Sequence, residues 1–349
     1  MKTLFIVDDN KSNLYAVKTA LEGAYRTYAL LSAERLFTML ERITPDLILL
    51  DLEMPDTDGF ETIRLLKSDG RWKDIPVVFL TARNDAEAEI RGFDLGALDF
   101  IAKPVSPPVL IKRMEAHLEM DRLVKDSQKA LRRIHTATIN VIADLIETRD
   151  ENTGGHIERT QTYFSLLAGE LRRTGVYREE MSTWDMGTLA SSAQLHDVGK
   201  IGISDLLLNK PGRLTHAEFE TIKHHCEKGE RIIERIIERT EENASLRHAR
   251  RFAASHHEKW DGTGYPRGLR GEDIPLEGRI MAVADVYDAL VSKRPYKEPF
   301  THERAVDIIS RDSGVHFDPN VVEAFLSVAD AFRAEAVGGA ASGEGNADP

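Results

Sequence analysis

Cysteine is nearly absent from this chain. Cys226 is the single one among 349 residues, so no internal disulfide can form and a reducing, cytoplasmic setting is expected. Long apolar stretches are also missing. No uninterrupted run approaches the ~18 residues that a membrane-spanning helix requires. The N-terminus enters the apolar segment Leu4-Phe5-Ile6-Val7 at once, without a basic leader or a small-residue cleavage site, so no secretory signal is expected. Positive charge is in deficit: 46 Lys and Arg stand against 58 Asp and Glu, a net charge of −12. That balance argues against direct DNA binding, which demands basic surface. It leaves room for a small phosphate ligand held by a few cations and metals. What is present, 42% hydrophobic and 30% charged residues, suits a soluble globular protein of two domains and a connector. No internal repeat is visible.

Residues 1–105 alternate apolar runs with helix-length amphipathic segments. Leu4–Val7, Tyr28–Leu31, Leu47–Leu50, Val77–Leu80 and Phe100–Ala102 are short and continuously apolar, as strands buried on both faces of a parallel sheet are. The pattern predicts an α/β, doubly wound, five-stranded parallel-sheet domain over residues 1–120. From 108 to 150 there is no turn signal, and a long helix is expected. Within it, Met120, Val124, Ser127, Leu131, Ile134, Thr138, Val141 and Leu145 step by four and three. This is either a coiled-coil seam that makes a homodimer or an ordinary amphipathic helix; residues 121–145 are taken as the linker. Residues 146–332 read as all-α. Thr215-His216-Ala217-Glu218 is a capping box expected to open one long helix through about Thr240. Asp318-Pro319 should cap and start the final helix. The Gly- and Ala-rich tail, 333–349, is expected to be disordered.

Asp8, Asp9 and Asp51 each follow a predicted strand, where an open parallel sheet has its ligand crevice. Three carboxylates there repel one another unless a divalent cation intervenes, and oxygen ligands suit Mg²⁺. Thr81 and Lys103 fall at the ends of later strands, where a hydroxyl and an ammonium could hold a phosphoryl group on Asp51. A single strand-end aspartate is ordinarily a solvated cap; five such positions together point to a site. Phe5-Ile6-Val7-Asp8-Asp9-Asn10, Asp51-Leu52-Glu53-Met54-Pro55-Asp56-Thr57-Asp58-Gly59, Thr81-Ala82 and Lys103-Pro104 resemble the receiver domain of two-component response regulators. The resemblance implies phosphorylation of Asp51 by a sensor histidine kinase and Mg²⁺ ligation by Asp8, Asp9, Asp51 and the Glu53 carbonyl. It places Phe100 at the aromatic switch position.

The second half carries His196-Asp197-Val198-Gly199-Lys200 and, sixty residues on, His256-His257-Glu258. Paired His-Asp and His-His are what a two-metal hydrolytic centre needs, because a carboxylate can bridge two cations while imidazoles fill the outer positions. The candidate metal ligands are His156, His196, Asp197, His225, His256, His257 and Asp285. The last directly follows the apolar run 280–284 in the same predicted helix, where an unpartnered charge would be costly. Lys200, one turn beyond Asp197, is placed to grip a phosphoryl oxygen and to stabilise transition-state charge. His216, His224, His248 and His302 are read as surface or satisfied core residues.

These segments resemble the HD-GYP phosphodiesterases, a branch of the HD superfamily of metal-dependent phosphohydrolases. The matching text is Glu147-Thr148-Arg149-Asp150 through Thr153-Gly154-Gly155-His156, His196-Asp197-Val198-Gly199-Lys200, His225 with Gly229, His256-His257-Glu258 to Gly264-Tyr265-Pro266, Val283-Ala284-Asp285 and Arg294-Pro295-Tyr296-Lys297. The resemblance implies hydrolysis of cyclic di-GMP to pGpG, with further cleavage to GMP in some members. One metal would sit on His156, His196, Asp197 and Asp285, and the other on Asp197, His225, His256 and His257. Iron or manganese is expected, with zinc as the alternative. Arg294 and Lys297 match cations that bind substrate, and Gly264-Tyr265-Pro266 would shape the site and a surface for protein partners. Members with a third metal carry a Glu at the place of Asn152, so two metals are expected here and the step to GMP is in question. The competing readings are a signalling adaptor that binds nucleotide or protein without turnover, and a phosphohydrolase acting on another nucleotide.

Overall fold

The computed structural model describes residues 1–82, 86–149, 155–292 and 298–342, with side chains as far as residue 336. The chain divides into two compact units, Met1–Leu131 and Arg132–Pro349.

In the first unit, β1 (Thr3–Val7), α1 (Lys11–Leu21), β2 (Arg26–Leu30), α2 (Ala33–Leu40), β3 (Leu47–Asp51), α3 (Gly59–Ser68), β4 (Val77–Thr81), α4 (Ala86–Asp94) and β5 (Asp99–Ala102) alternate, and α5 (Pro107–Glu147) follows. The strands form one parallel sheet in the order β2-β1-β3-β4-β5. The apolar runs explain it. Every residue of β3 and β4 is buried, and the period-two alternation sends Phe5, Val7, Ile48, Leu50, Val77 and Phe79 to one face. Leu4, Ile6, Leu47, Leu49, Val78 and Leu80 go to the other, where Leu110, Met114 and Leu118 of α5 cover them. The strand order reverses between β1 and β3, so a crevice opens beyond their carboxyl ends.

In the second unit the last turns of α5 are followed by α6 (His156–Thr174), α7 (Met186–Ala193), a 3₁₀ turn (Val198–Gly202), α8 (Asp205–Leu208), α9 (His216–Lys223), α10 (His225–Thr240), α11 (Ala244–Ser255), α12 (Leu276–Val291), α13 (His302–Arg311) and α14 (Pro319–Ser342). Tyr163, Phe164, Tyr287, Phe325 and Phe332 anchor the main core, built by α6, α12 and α14. A smaller cluster joins Ile139 and Ile146 of α5 to Leu195, Val198, Ile233 and Ala253. Residues 276–284 of α12 are all buried, including Glu277, paired with His248, and Arg279, paired with Asp318; buried charges need such partners. No helix among the described residues is long and apolar enough to cross a membrane.

Three expectations are refined. The capping box at Thr215 is present, with both reciprocal bonds to Glu218, but the helix it opens ends at Lys223. His224 breaks the run, and α10 restarts at His225. The break turns His225 inward, a demand of the site that no Gly or Pro announces. The tail taken from residue 333 is helical as far as Ser342; residues 343–349 lie outside the described residues. The long helix is present as α5. Its second-unit packing face is Ile139, Ala143 and Ile146, whereas Met120, Val124, Leu131, Ile134, Val141 and Leu145 are all exposed, by 48% to 64%.

Candidate functional site

At the carboxyl edge of the sheet, oxygens of Asp8, Asp9 and Asp51 lie within 4.8 Å of one another. Strand register brings Asp8, just past β1, beside the end of β3. Lys103, just past β5, reaches across to both: its Nζ lies 2.6 Å from Asp8 Oδ2 and 2.8 Å from Asp51 Oδ1. Burial, with Asp8 adding to it, outweighs Lys103 and raises the Asp51 carboxyl above the ordinary range. The Glu53 backbone N–H donates to Asp51. Thr81 ends β4 and is buried. Phe100 packs inward on Phe79 and Phe93, with ring centroids 5.0 and 5.1 Å away.

The second unit gathers two further groups. Asp197, His225, His256 and His257 offer ligand atoms within 4.8 Å of one another, and so do His156, His196 and Asp285. All but Asp285 sit at helix ends. His156 opens α6, His196-Asp197 follows α7, His225 opens α10 and His256-His257 follows α11. Asp285 comes from the interior of α12. The rings are aimed by their far nitrogens. Nδ1 of His196 donates to the Ala193 carbonyl at 2.9 Å, that of His225 to Ile222 at 2.8 Å and that of His256 to Phe252 at 2.9 Å. Because a carbonyl only accepts, Nδ1 holds the proton and Nε2 presents a lone pair.

Those lone pairs converge on acceptors. Nε2 of His225 and of His256 lie 3.2 Å apart, and 3.3 and 3.6 Å from Asp197 Oδ1. Asp197 Oδ2 is 3.5 Å from His196 Nε2 and 2.9 Å from Lys200 Nζ. His156 Nε2 is 3.5 Å from Asp285 Oδ1. His196 Nε2 and Asp197 Oδ1 are buried without a hydrogen-bond partner among the described residues. Acceptors turned on acceptors, with no proton between them, are what a cation would satisfy. The donor set of imidazole and carboxylate therefore fits two borderline divalent ions, with Asp197 offering one oxygen to each group. Burial holds the His196 and His225 rings down at about 4, and His257 far below its usual value. Burial opposes ionisation of Asp197, but Lys200 and His196 outweigh it and keep the carboxyl well below the usual range.

Close packing fixes this geometry. A Cβ on Gly199 would lie 1.8 Å from the His225 carbonyl oxygen and 2.5 Å from the Gly229 nitrogen. Only glycine lets the 3₁₀ turn lie against the start of α10. Likewise a Cβ on Gly264 would come within 2.3 Å of the Lys259 nitrogen. That approach seats the Tyr265 ring 4.8 Å from His257.

Comparison with known proteins agrees with both halves. The response regulator receiver domain model matches residues 4–115, and the HD domain model matches residues 140–321. A probable cyclic di-GMP phosphodiesterase of Vibrio cholerae is 42% identical, the match covering 93% of this chain and 77% of the relative. The cyclic di-GMP phosphodiesterase of Thermotoga maritima is 32% identical over 95% of this chain and 93% of its own. The cyclic di-GMP phosphodiesterase response regulator RpfG of Xanthomonas campestris is 37% identical over 80% and 75%. The chain belongs to the response regulators with an HD-GYP output domain.

In this HD-GYP response regulator the candidate metal groups open into a cleft of about 1030 Å³, lined also by Lys200, Lys210, Arg213, Lys259 and Tyr265. Arg294, Lys297 and Asn152 lie outside the described residues. Several functional neighbours escaped the sequence reading. Asp288 accepts from His156 Nδ1 at 2.7 Å and is itself held by Arg159 Nε at 2.6 Å. Burial opposes its charge, and His156 and Arg159 outweigh burial and lower its carboxyl. Asp288 stands three residues after Asp285, and Arg159 three after His156, so helical spacing was the available signal. Glu258 is buried and accepts the backbone N–H groups of Arg267 at 2.7 Å and Leu269 at 3.0 Å, cinching the loop that carries Tyr265. Of the histidines set aside, His248 bonds Glu277 at 2.8 Å and His302 bonds the Tyr287 hydroxyl at 2.8 Å.

Proposed function

We propose that this chain hydrolyses cyclic di-GMP to pGpG at a pair of iron or manganese ions, with zinc as the alternative, under the control of Asp51 phosphorylation. Residues 146–332 carry the reaction, residues 1–120 receive the phosphoryl group from a sensor kinase with Mg²⁺ at Asp8, Asp9 and Asp51, and 121–145 link them. The observation that carries the reading is the disposition of Asp197: Oδ1 faces His225 and His256, and Oδ2 faces His196. His156, His196, Asp197 and Asp285 would hold one ion, and Asp197, His225, His256 and His257 the other. When bound, such ions acidify water and draw negative charge off a phosphoryl group.

The chain's own groups do the rest. Protonated Nδ1 atoms keep each Nε2 pointed inward. Lys200 brings an ammonium to within 2.9 Å of Asp197 Oδ2, where it meets charge that grows on a phosphoryl oxygen in the transition state. The cleft can take a dinucleotide, and Tyr265 offers a ring face for a base. Mixed guanine–adenine cyclic dinucleotides share this chemistry, so the substrate panel includes one.

The exposed stripe from Met120 to Leu145 pairs with the same stripe of a second copy, since apolar residues at alternating four- and three-residue steps are self-complementary. His196→Ala and Asp197→Ala are expected to abolish turnover of cyclic di-GMP, by about 10³-fold or more, with circular dichroism unchanged. Wild-type turnover in both folded variants sinks the assignment. Binding without turnover in the metal-loaded wild type favours an adaptor.

A further inference from the structure

We infer that Arg149 is the positioning residue for the turn that carries Lys200; its bearing on turnover rests on the proposed function. Lys200 sits in a five-residue 3₁₀ turn, Val198–Gly202, an element whose hydrogen bonds are poorly aligned and which does not hold its shape alone. Inside the turn, the Lys200 N–H bonds the Asp197 carbonyl at 2.9 Å, and the Ile203 N–H bonds Lys200 at 3.0 Å. The carbonyls that follow have no place in that ladder. Two cationic side chains take three of them in succession. Arg149 Nη1 donates to Ile201 at 2.9 Å and Nη2 to Ile203 at 3.1 Å, while Lys228 Nζ donates to Gly202 at 2.5 Å.

Arg149 does more than fill carbonyls. Its Nε and Nη2 lie 3.0 and 2.6 Å from Asp205 Oδ1, at the first residue of α8. That helix supplies Leu207 and Leu208 to the cleft wall. In return, Asn209 Nδ2 donates to the Arg149 carbonyl at 2.8 Å. One planar guanidinium thus spans two carbonyls and a carboxylate at once, a task for a rigid fork with five donors that an ammonium cannot share out. Two residues earlier, Glu147 accepts the backbone N–H of His156 at 2.7 Å. The exit from α5 therefore grips backbone on both sides of Asp197, at His156 and behind Lys200. None of these hydrogen bonds among the described residues runs from Arg149 to a metal group or to the cleft lining, so its effect is routed through the turn.

The test uses the full chain with Arg149→Ala and Arg149→Lys. Amide hydrogen exchange of residues 198–205 should quicken at least about tenfold in Arg149→Ala and by an intermediate factor in Arg149→Lys, while residues 276–291 of α12 keep the wild-type rate. With cyclic di-GMP, kcat should fall at least about tenfold in Arg149→Ala, with KM within about twofold and metal content unchanged. Wild-type exchange across 198–205 in Arg149→Ala overturns the inference, and so does a rise in KM at constant kcat. If the metal-loaded wild type itself turns over no cyclic dinucleotide, the proposed function fails, and the exchange measurement still decides the role of Arg149.

Discussion

The two sites treat their carboxylates in opposite ways. In the sheet crevice, Asp51 is pushed towards its neutral form by burial and by Asp8, and Lys103 only partly relieves it. In the helical unit, Asp197, Asp288 and Glu277 are buried too, yet each is held below its usual range because cations or rings outweigh burial. The crevice thus keeps an uncomfortable charge, one that under the proposed function a phosphoryl group or cation would alter. The helical unit spends its charges on fixing imidazoles and therefore on permanence. The proposed switch and the proposed catalytic centre, built from the same side chains, differ in what neutralises the aspartate.

The largest effect that would sharpen this contrast is expected at Glu277, whose partners are His248 at 2.8 Å and Arg251 at 3.0 Å. Glu277→Gln should cost about 3 kcal/mol at neutral pH, since one member of a buried pair is removed. Its folded-state value lies below that of the unfolded chain. The stabilisation is therefore complete above the unfolded value and fades as pH falls through the folded one. Denaturant melts of both proteins should show the gap closing on acidification; a gap that widens in acid contradicts the sign.

Next comes Asp288→Asn, which leaves the metal groups in place but weakens the hold on the His156 ring. Transition-metal affinity should drop about 10- to 100-fold, as read by competition with a chromogenic chelator; an unchanged affinity would mean that His156 needs no anchor. The smallest effect is expected in the crevice. Asp51→Asn removes a charge that burial disfavours, so the melting temperature of the first unit should rise by a few degrees at neutral pH, a gain that vanishes below the carboxylate range. The same variant should lose any change in activity or oligomeric state caused by beryllofluoride. A fall in melting temperature would place Asp51 with the structural carboxylates and break the contrast.

Much of this was legible in the sequence. Five apolar runs between amphipathic segments permit little besides a parallel sheet, and β1 to β5 overlap them, although β2 starts at Arg26 and, as an edge strand, is partly exposed rather than buried on both faces. The adjacent pairs His196-Asp197 and His256-His257 pointed to a candidate centre, and the structure gathers them with His225, His156 and Asp285. The grouping of His156 with Asp285, 129 residues apart, was reachable only through family resemblance, since no local pattern encodes a contact between α6 and α12. The break at His224 escaped because Lys223, His224 and His225 all tolerate helix, and only tertiary demand separates α9 from α10. Asp288 escaped because a second aspartate on a helix is ordinarily surface; its burial depends on α6 packing over it.

The most direct test of the central claim, that Asp197 is shared between two cations, is the transition-metal count per full-length chain in the wild type and in Asp197→Ala, loaded with iron or manganese and desalted. The account predicts two ions per wild-type chain and loss of both from Asp197→Ala. A wild type that retains none, or an Asp197→Ala chain that keeps two, contradicts it.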